Sequence, residues 1–269
     1  MVLSHWGLSE SPFRGALDPR FFYPAPTHDE ALARLNFLAD ERRSLGLLLG
    51  ESGVGKSLLF EVFRRQLGYT GRQAARLNLM GVTPRELLWQ LAGQWGLNPA
   101  AEASEAVLWR LLADAVVANR CQQLTSVILL DDVDEAAPAV LAQIARLAQL
   151  DTAADARLTL VLSAQTGRLQ KLGDRLLELA ELRIDVEAWQ EADTTAFLQL
   201  ALEEAGRAEP VFSDSAAVRV HQLAGGVPRR VKQLADLALL AGAGERLPQV
   251  DDDTVEAVFY ELGVVTMLG

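Results

Sequence analysis

The chain has 269 residues, half of them hydrophobic and only 6% aromatic, with a formal net charge of -11. That length suits one large domain, or a large domain with a small one, and that hydrophobicity excludes a disordered chain. The acidic total opposes indiscriminate binding to nucleic acid or anionic lipid. Cys121 is the only cysteine, so no intrachain disulfide is possible, and three histidines make a zinc site improbable.

The opening MVLSHWGLSESPF has neither a basic n-region nor an apolar h-region. No stretch approaches the roughly 20 apolar residues of a membrane span, and a soluble, cytoplasmic protein is expected. Residues 1–27 set Pro12, Pro19, Pro24 and Pro26 among Trp6, Phe13, Phe21, Phe22 and Tyr23. Proline at that density forbids a long helix, so an irregular segment pinned against the following domain is expected. Thr27 and Glu30 then read as a capping box for a first helix with Leu32, Leu35, Phe37 and Leu38 on its apolar face.

Strands and helices alternate next. LGLLLG is a buried strand, followed by a glycine-rich turn and the helical KSLLFEVFRRQLG. QAARLNL is a second strand, before the helices PRELLWQLAGQWG and SEAVLWRLLADAVVANRCQQL. SVILLD has no polar alternation, as expected of a strand covered on both faces. The helix PAVLAQIARLAQL and the strands RLTLVLS and AELRIDV complete the series. From about residue 190 only helical patterns remain. The expected architecture is α/β: a three-layer P-loop domain with a parallel five-stranded sheet over residues 1–188, irregular at 1–27, and a small all-helical lid over residues 189–269.

The turn GESGVGKS, residues 50–57, fits the phosphate-loop pattern G-x-x-x-x-G-K-[ST]. Gly50, Gly53 and Gly55 allow backbone angles and close approach that a Cβ would block. The N–H groups of Glu51, Ser52, Val54 and the first helical residues through Leu58 are then free to face phosphate oxygens. Lys56 is expected on the β- and γ-phosphates of ATP or ADP, and Ser57 on Mg²⁺. A glycine-rich strand-to-helix turn matching by chance is the bland alternative, but the apolar strand before it and the amphipathic helix after it are the context the motif requires.

VILLDDVDEA, residues 127–136, ends a strand in four carboxylates. Asp131, at the strand tip, is expected beside the metal, and Asp132 is expected to polarise the attacking water. Asp134 and Glu135 precede the next helix, whose N-terminus favours acids, and read as helix-start residues rather than catalytic ones. At the end of the fourth strand Gln165, or alternatively Ser163, is the candidate γ-phosphate sensor. Arg175 and Arg183 are candidates to stabilise transition-state charge in a neighbouring subunit, with surface solvation the alternative. Arg229 and Arg230 open a lid helix, where cations are unfavourable, so an anionic partner is expected, Arg229 first.

These blocks together resemble the AAA+ ATPases of the general secretion pathway protein A type. The resemblance is carried by WGLSESPFRGALDPRFFYPAPTHDEALARL, LGLLLGESGVGKS, ILLDDVDEA, LVLSAQ and GGVPRRVKQLADLAL, and it runs along nearly the whole chain. It implies an ATP site between subunits of a homo-oligomer, protein partners, and an approach of the segment around Phe13 to the nucleotide base. It also puts an aspartate, Asp132, where a longer glutamate is usual, which implies slow hydrolysis. The module is similar as well to transposition ATPases of the Mu B and TniB type, which bind DNA. Arg72, Arg76, Arg229, Arg230 and Lys232 are the local cations such a role would use. A non-hydrolysing, nucleotide-gated scaffold is the third reading.

Overall fold

The structure is a computed structural model that describes residues 2–13 and 17–267, the last five of these as backbone only. In chain order its first elements are α1 (Val2–Trp6), α2 (Pro26–Asp40), β1 (Leu45–Leu49), α3 (Lys56–Tyr69), β2 (Gln73–Asn78), α4 (Pro84–Gln94) and α5 (Glu105–Cys121). Then come β3 (Ser126–Asp131), α6 (Pro138–Leu147), β4 (Leu158–Ala164), α7 (Asp174–Leu179) and β5 (Leu182–Asp185). The helices α8 (Glu191–Glu204), α9 (Asp214–Ala224), α10 (Pro228–Glu245) and α11 (Asp252–Met267) follow.

The chain divides into two compact units. One comprises Asp18–Ser52 and Lys56–Val186. Its core is a five-stranded, wholly parallel sheet of order β2-β3-β4-β1-β5. Strands β1, β3 and β4 are buried along their full length, which explains their predominance of Leu, Val and Ile. β2, at one edge, alternates instead: Ala75 and Leu77 join the core with α4, α5 and α6, while Arg76 and Asn78 turn to the opposite face. Register aligns the carboxyl ends, pairing Asn78 with Asp131, Leu130 with Leu162, and Leu49 with Ala164. Gly50, Asp131, Asp132 and Ser163 therefore emerge along one edge, where ligands of open parallel sheets bind.

Helix α2 begins at Pro26 with Ala25 as its N-cap, and Glu30 bonds Arg34 one turn on, so the Thr27–Glu30 capping box is not formed. Proline, already fixed at a helical φ, sets the start two residues earlier, with Ala25 rather than Thr27 as the N-cap. A capping box does open α4, between Thr83 and Glu86.

The second unit comprises Met1–Leu17, Gly53–Gly55 and Glu187–Gly269. Helices α8 to α11 form it, with α1 laid on α10. Trp6 is 1% exposed, and its Nε1 donates to the Leu239 carbonyl at 2.8 Å. Phe13 is buried against Phe197 and Phe212. The described residues 2–13 thus belong with the helices, not with the α/β unit as the sequence division had it. The reason is aromatic: this helical unit offers the cover those rings need.

Candidate functional site

β1 ends at Leu49, and the chain crosses Gly50–Gly55 before entering α3 at Lys56. Gly53 and Gly55 have φ of +90° and +108°, which a side chain would strain. A Cβ on Gly53 would also reach 3.0 Å from Arg229 and Val227 carbons, and the Gly53 carbonyl accepts the Arg229 N–H at 3.2 Å. The glycines serve backbone approach here, as the motif demands.

Lys56 is only 7% exposed. Its Nζ donates to the carbonyls of Gly50 at 2.7 Å and Glu51 at 3.0 Å, folding the side chain back over its own loop. Burial pulls its pKa below the ordinary 10.5, and Asp132, Asp131, Asp134 and Glu51 oppose that pull. Glu51 and Ser52 are exposed, Gly50 and Val54 buried, and Ser57 and Leu58 half-buried at the first turn of α3.

Asp131 is completely buried, and both its oxygens are engaged: Oδ1 by the Ser163 hydroxyl, Oδ2 by Arg76 Nη2 at 2.8 Å. Asp132 adopts the left-handed conformation, φ 55°, that aspartate tolerates better than most residues. Its N–H donates to Ser163 Oγ at 3.1 Å, and its Oδ2 accepts from Asn78 Nδ2 at 2.7 Å. Ser163, fully buried, thus ties the two acids together. Of the two candidate sensors it is the one joined to Asp131 and Asp132. Gln165 lies two residues further, just past the end of β4, and its N–H donates to Asp134 Oδ1 at 3.3 Å.

The expectation for Asp134 and Glu135 needs correction. They form a 3-10 turn, Val133–Glu135, while α6 starts at Pro138. Asp134 is buried, its Oδ2 has no hydrogen-bond partner, and Arg168 stands 3.8 Å from it while also pairing with Glu135. These acids link the ends of β3 and β4 rather than capping a helix.

The remaining candidates are scattered. Arg183 lies on the edge strand β5, half exposed and chelated by Asp185 at 2.8–3.0 Å, because strand residues two apart share a face. Asp185 accordingly raises the Arg183 pKa. Arg175 is exposed near the start of α7 and donates to Gln149 at 3.3 Å. Phe13, expected near a base, is instead core of the helical unit, for its ring is packed on two others. Arg229 and Arg230 are exposed at the first turn of α10. The proposed basic surface is not found at three of its positions: Arg72 pairs with Asp40, Arg76 with Asp131, and the Lys232 ammonium sits 5.4 Å over the Phe197 ring.

Asn78, Arg76 and the linking role of Ser163 escaped the sequence reading. The available signal was the polar pair at alternate positions of QAARLNL, beside an acid-tipped strand. The donor set fits Mg²⁺: a hydroxyl at Ser57 and a carboxylate at Asp131 sit at the loop that would hold phosphates, and Mg²⁺ is bound by one or two carboxylates plus phosphates and water. Among the described residues there is no group of three or more His, Cys, Asp and Glu that could hold a metal ion. Nor is any helix among them long and apolar enough to cross a membrane.

Residues 39–172 match the family described as AAA domain. The chain is 30% identical over 266 residues to general secretion pathway protein A of Aeromonas hydrophila, an alignment covering 97% of this chain and 48% of that protein. It therefore spans about half the length of that relative. Among solved structures it is similar to Cdc6p of Pyrobaculum aerophilum, at 18% identity and TM-score 0.69, over 89% of this chain and 67% of that one. It is also similar to the ORC1 protein of Aeropyrum pernix in complex with DNA, at 20% identity and TM-score 0.66, over 87% and 65%. The RuvB Holliday junction branch migration motor of Thermotoga maritima matches at 14% identity and TM-score 0.58, over 87% and 69%. At these identities the structural likeness is one of fold.

Proposed function

Because the chain belongs to the AAA+ family of P-loop ATPases, we propose that it binds ATP at residues 50–57, hydrolyses it slowly, and works as a homo-oligomeric switch on protein partners. The observation that carries this reading is a buried lysine at the start of α3, electrostatically coupled to the carboxylates at the end of β3. A buried ammonium whose hydrogen bonds go to its own loop's carbonyls is a group that can turn to an anion entering the loop.

In this reading Lys56 leaves the carbonyls of Gly50 and Glu51 for the β- and γ-phosphate oxygens. The loop N–H groups and the N-terminus of α3 hold the β-phosphate. Ser57 and Asp131 would hold Mg²⁺, which supplies charge neutralisation on the phosphates. Asp132 accepts the proton of a water that attacks the γ-phosphorus as the bond to the bridging oxygen breaks, giving ADP and inorganic phosphate. For that, its Oδ2 must leave Asn78. Ser163 keeps the two acids in register, and Gln165 senses the γ-phosphate. The helices of 189–269 act as a lid bearing Arg229 and Arg230 to the phosphates. Arg183 or Arg175 of a neighbouring copy stabilises the developing charge, which for Arg183 requires release from Asp185.

Phosphate release measured across a protein concentration series, with and without DNA, tests this. Specific activity rising with concentration supports sites completed between copies. A flat profile overturns the oligomeric part, and DNA stimulation moves the assignment to a DNA-associated ATPase.

A further inference from the structure

The side of β2 that packs on α3 carries a cation between two acids. Arg76 Nη2 lies 2.8 Å from Asp131 Oδ2, and its Nη1 lies 3.7 Å from Glu61 Oε2 on α3. Asp131 is wholly buried, and the Arg76 and Glu61 side chains are 17% and 19% exposed. A buried carboxylate without a counter-charge is strongly destabilising, which accounts for an arginine there. Yet the arrangement is not a locked pair. Arg76 meets Asp131 through one nitrogen only, and its Nε is buried without a hydrogen-bond partner. Glu61 stays ionised, because hydrogen bonds from Arg64 hold its carboxyl below the ordinary range. A second acceptor therefore waits about one ion-pair length away.

We propose that Arg76 is a positioning residue that acts as a built-in counter-cation for Asp131, is handed to Glu61 when a divalent cation enters, and thereby sets how strongly nucleotide binding depends on that cation. This rests on the nucleotide-site reading above. With the metal absent, Arg76 keeps Asp131 neutralised and leaves the cavity tolerable to phosphate. With a metal bound, Arg76 and the metal would compete for the Asp131 carboxylate, and Glu61 would take up Arg76.

The test is the affinity of N-methylanthraniloyl-ADP, read by fluorescence in Mg²⁺ and in EDTA, for wild type, Arg76→Gln, Arg76→Lys and Glu61→Gln. The readout is the ratio of the Kd in EDTA to the Kd in Mg²⁺. Removing one nearby positive charge should raise that ratio about tenfold in Arg76→Gln, the change that about 1.4 kcal/mol produces. Arg76→Lys should restore it towards wild type. Glu61→Gln should lower it several-fold, since Arg76 then has no second anionic partner and stays on Asp131.

An unchanged ratio in Arg76→Gln, with only a lower melting temperature, would mean that Arg76 merely neutralises a buried acid, and would overturn the proposal. A wild-type ratio in Glu61→Gln overturns the hand-over. Glu61→Gln is nearly isosteric and leaves no buried carboxylate unpaired, so this arm stands even where Arg76→Gln fails to fold. If wild type binds no ADP in either condition, the nucleotide-site reading itself is overturned, which is a different result.

Discussion

Replacing Lys56 by methionine keeps an unbranched apolar stem and removes only the ammonium, and its effects on binding and on folding should have opposite signs. In the nucleotide-free fold Lys56 makes two hydrogen bonds, at 2.7 and 3.0 Å, to loop carbonyls. Turned to phosphate oxygens, both become charge-assisted on each side. At about 1.5–3 kcal/mol each, their loss removes about 3–6 kcal/mol of binding, or about 10²- to 10⁴-fold in affinity. Folding responds differently. Burial wins over the neighbouring carboxylates and lowers the Lys56 pKa, so the ammonium is a net burden on the empty fold. Between the lowered pKa and 10.5 the unfolded chain binds more protons than the native one, so wild-type stability gains from rising pH in that window. Methionine removes both the burden and this pH dependence. The nucleotide-free variant should therefore melt at or above wild type, where 1 kcal/mol is worth about 2–4 °C for a protein of this size. Differential scanning fluorimetry and calorimetric ATP titration read the two effects. A melting temperature more than about 4 °C below wild type would show that Lys56 is net structural, and unchanged affinity would refute the phosphate contact.

Asn78→Ala frees the Oδ2 of Asp132, so basal phosphate release should rise while ADP affinity stays within about twofold; release at the wild-type rate would show that this hydrogen bond does not restrain the acid. Gly226→Ala should destabilise the helical unit. Gly226 has φ +65°, and a Cβ there would collide with the Trp189 carbonyl oxygen, which belongs to backbone and cannot swing away. About 2–4 kcal/mol is expected from strain plus clash, read as a shifted urea midpoint. Glu181 is pushed up by burial, but hydrogen bonds from the Ser44 hydroxyl and N–H and from Arg43 win and hold its pKa below 4.5. A depressed carboxylate stabilises above its unfolded pKa and loses that contribution as pH falls through the folded value. Wild type should thus lose stability faster than Glu181→Gln below about pH 4.5; parallel pH profiles would contradict this.

The strands and the phosphate loop were legible because their signals are local. Short strand patterns, three of them nearly all apolar, and one Gly-Lys-Ser turn need no tertiary information, and each strand lies where the pattern put it. The links of Arg76, Asn78 and Ser163 to Asp131 and Asp132 were not legible, because they depend on strand order and register. Nothing local says that β2 lies beside β3, or that β4 flanks it on the other side, yet that order alone brings three distant residues to two acids. Asp134 misled for a related reason: its chain position suggests a helix start, while its burial depends on Gln165 and Arg168 more than 30 residues away. At the N-terminus, prolines and aromatics announced a covered segment, but the expectation set it on the α/β unit, whereas Trp6 and Phe13 are buried in the helical one.

Calorimetric titration of the nucleotide-free chain with ATP in Mg²⁺ tests the central claim most directly. Saturable binding of one ATP per chain, abolished or weakened at least 100-fold by Lys56→Met, is the predicted result. Absence of saturable binding by wild type, or equal binding by both proteins, would contradict the assignment of residues 50–57 as the nucleotide site.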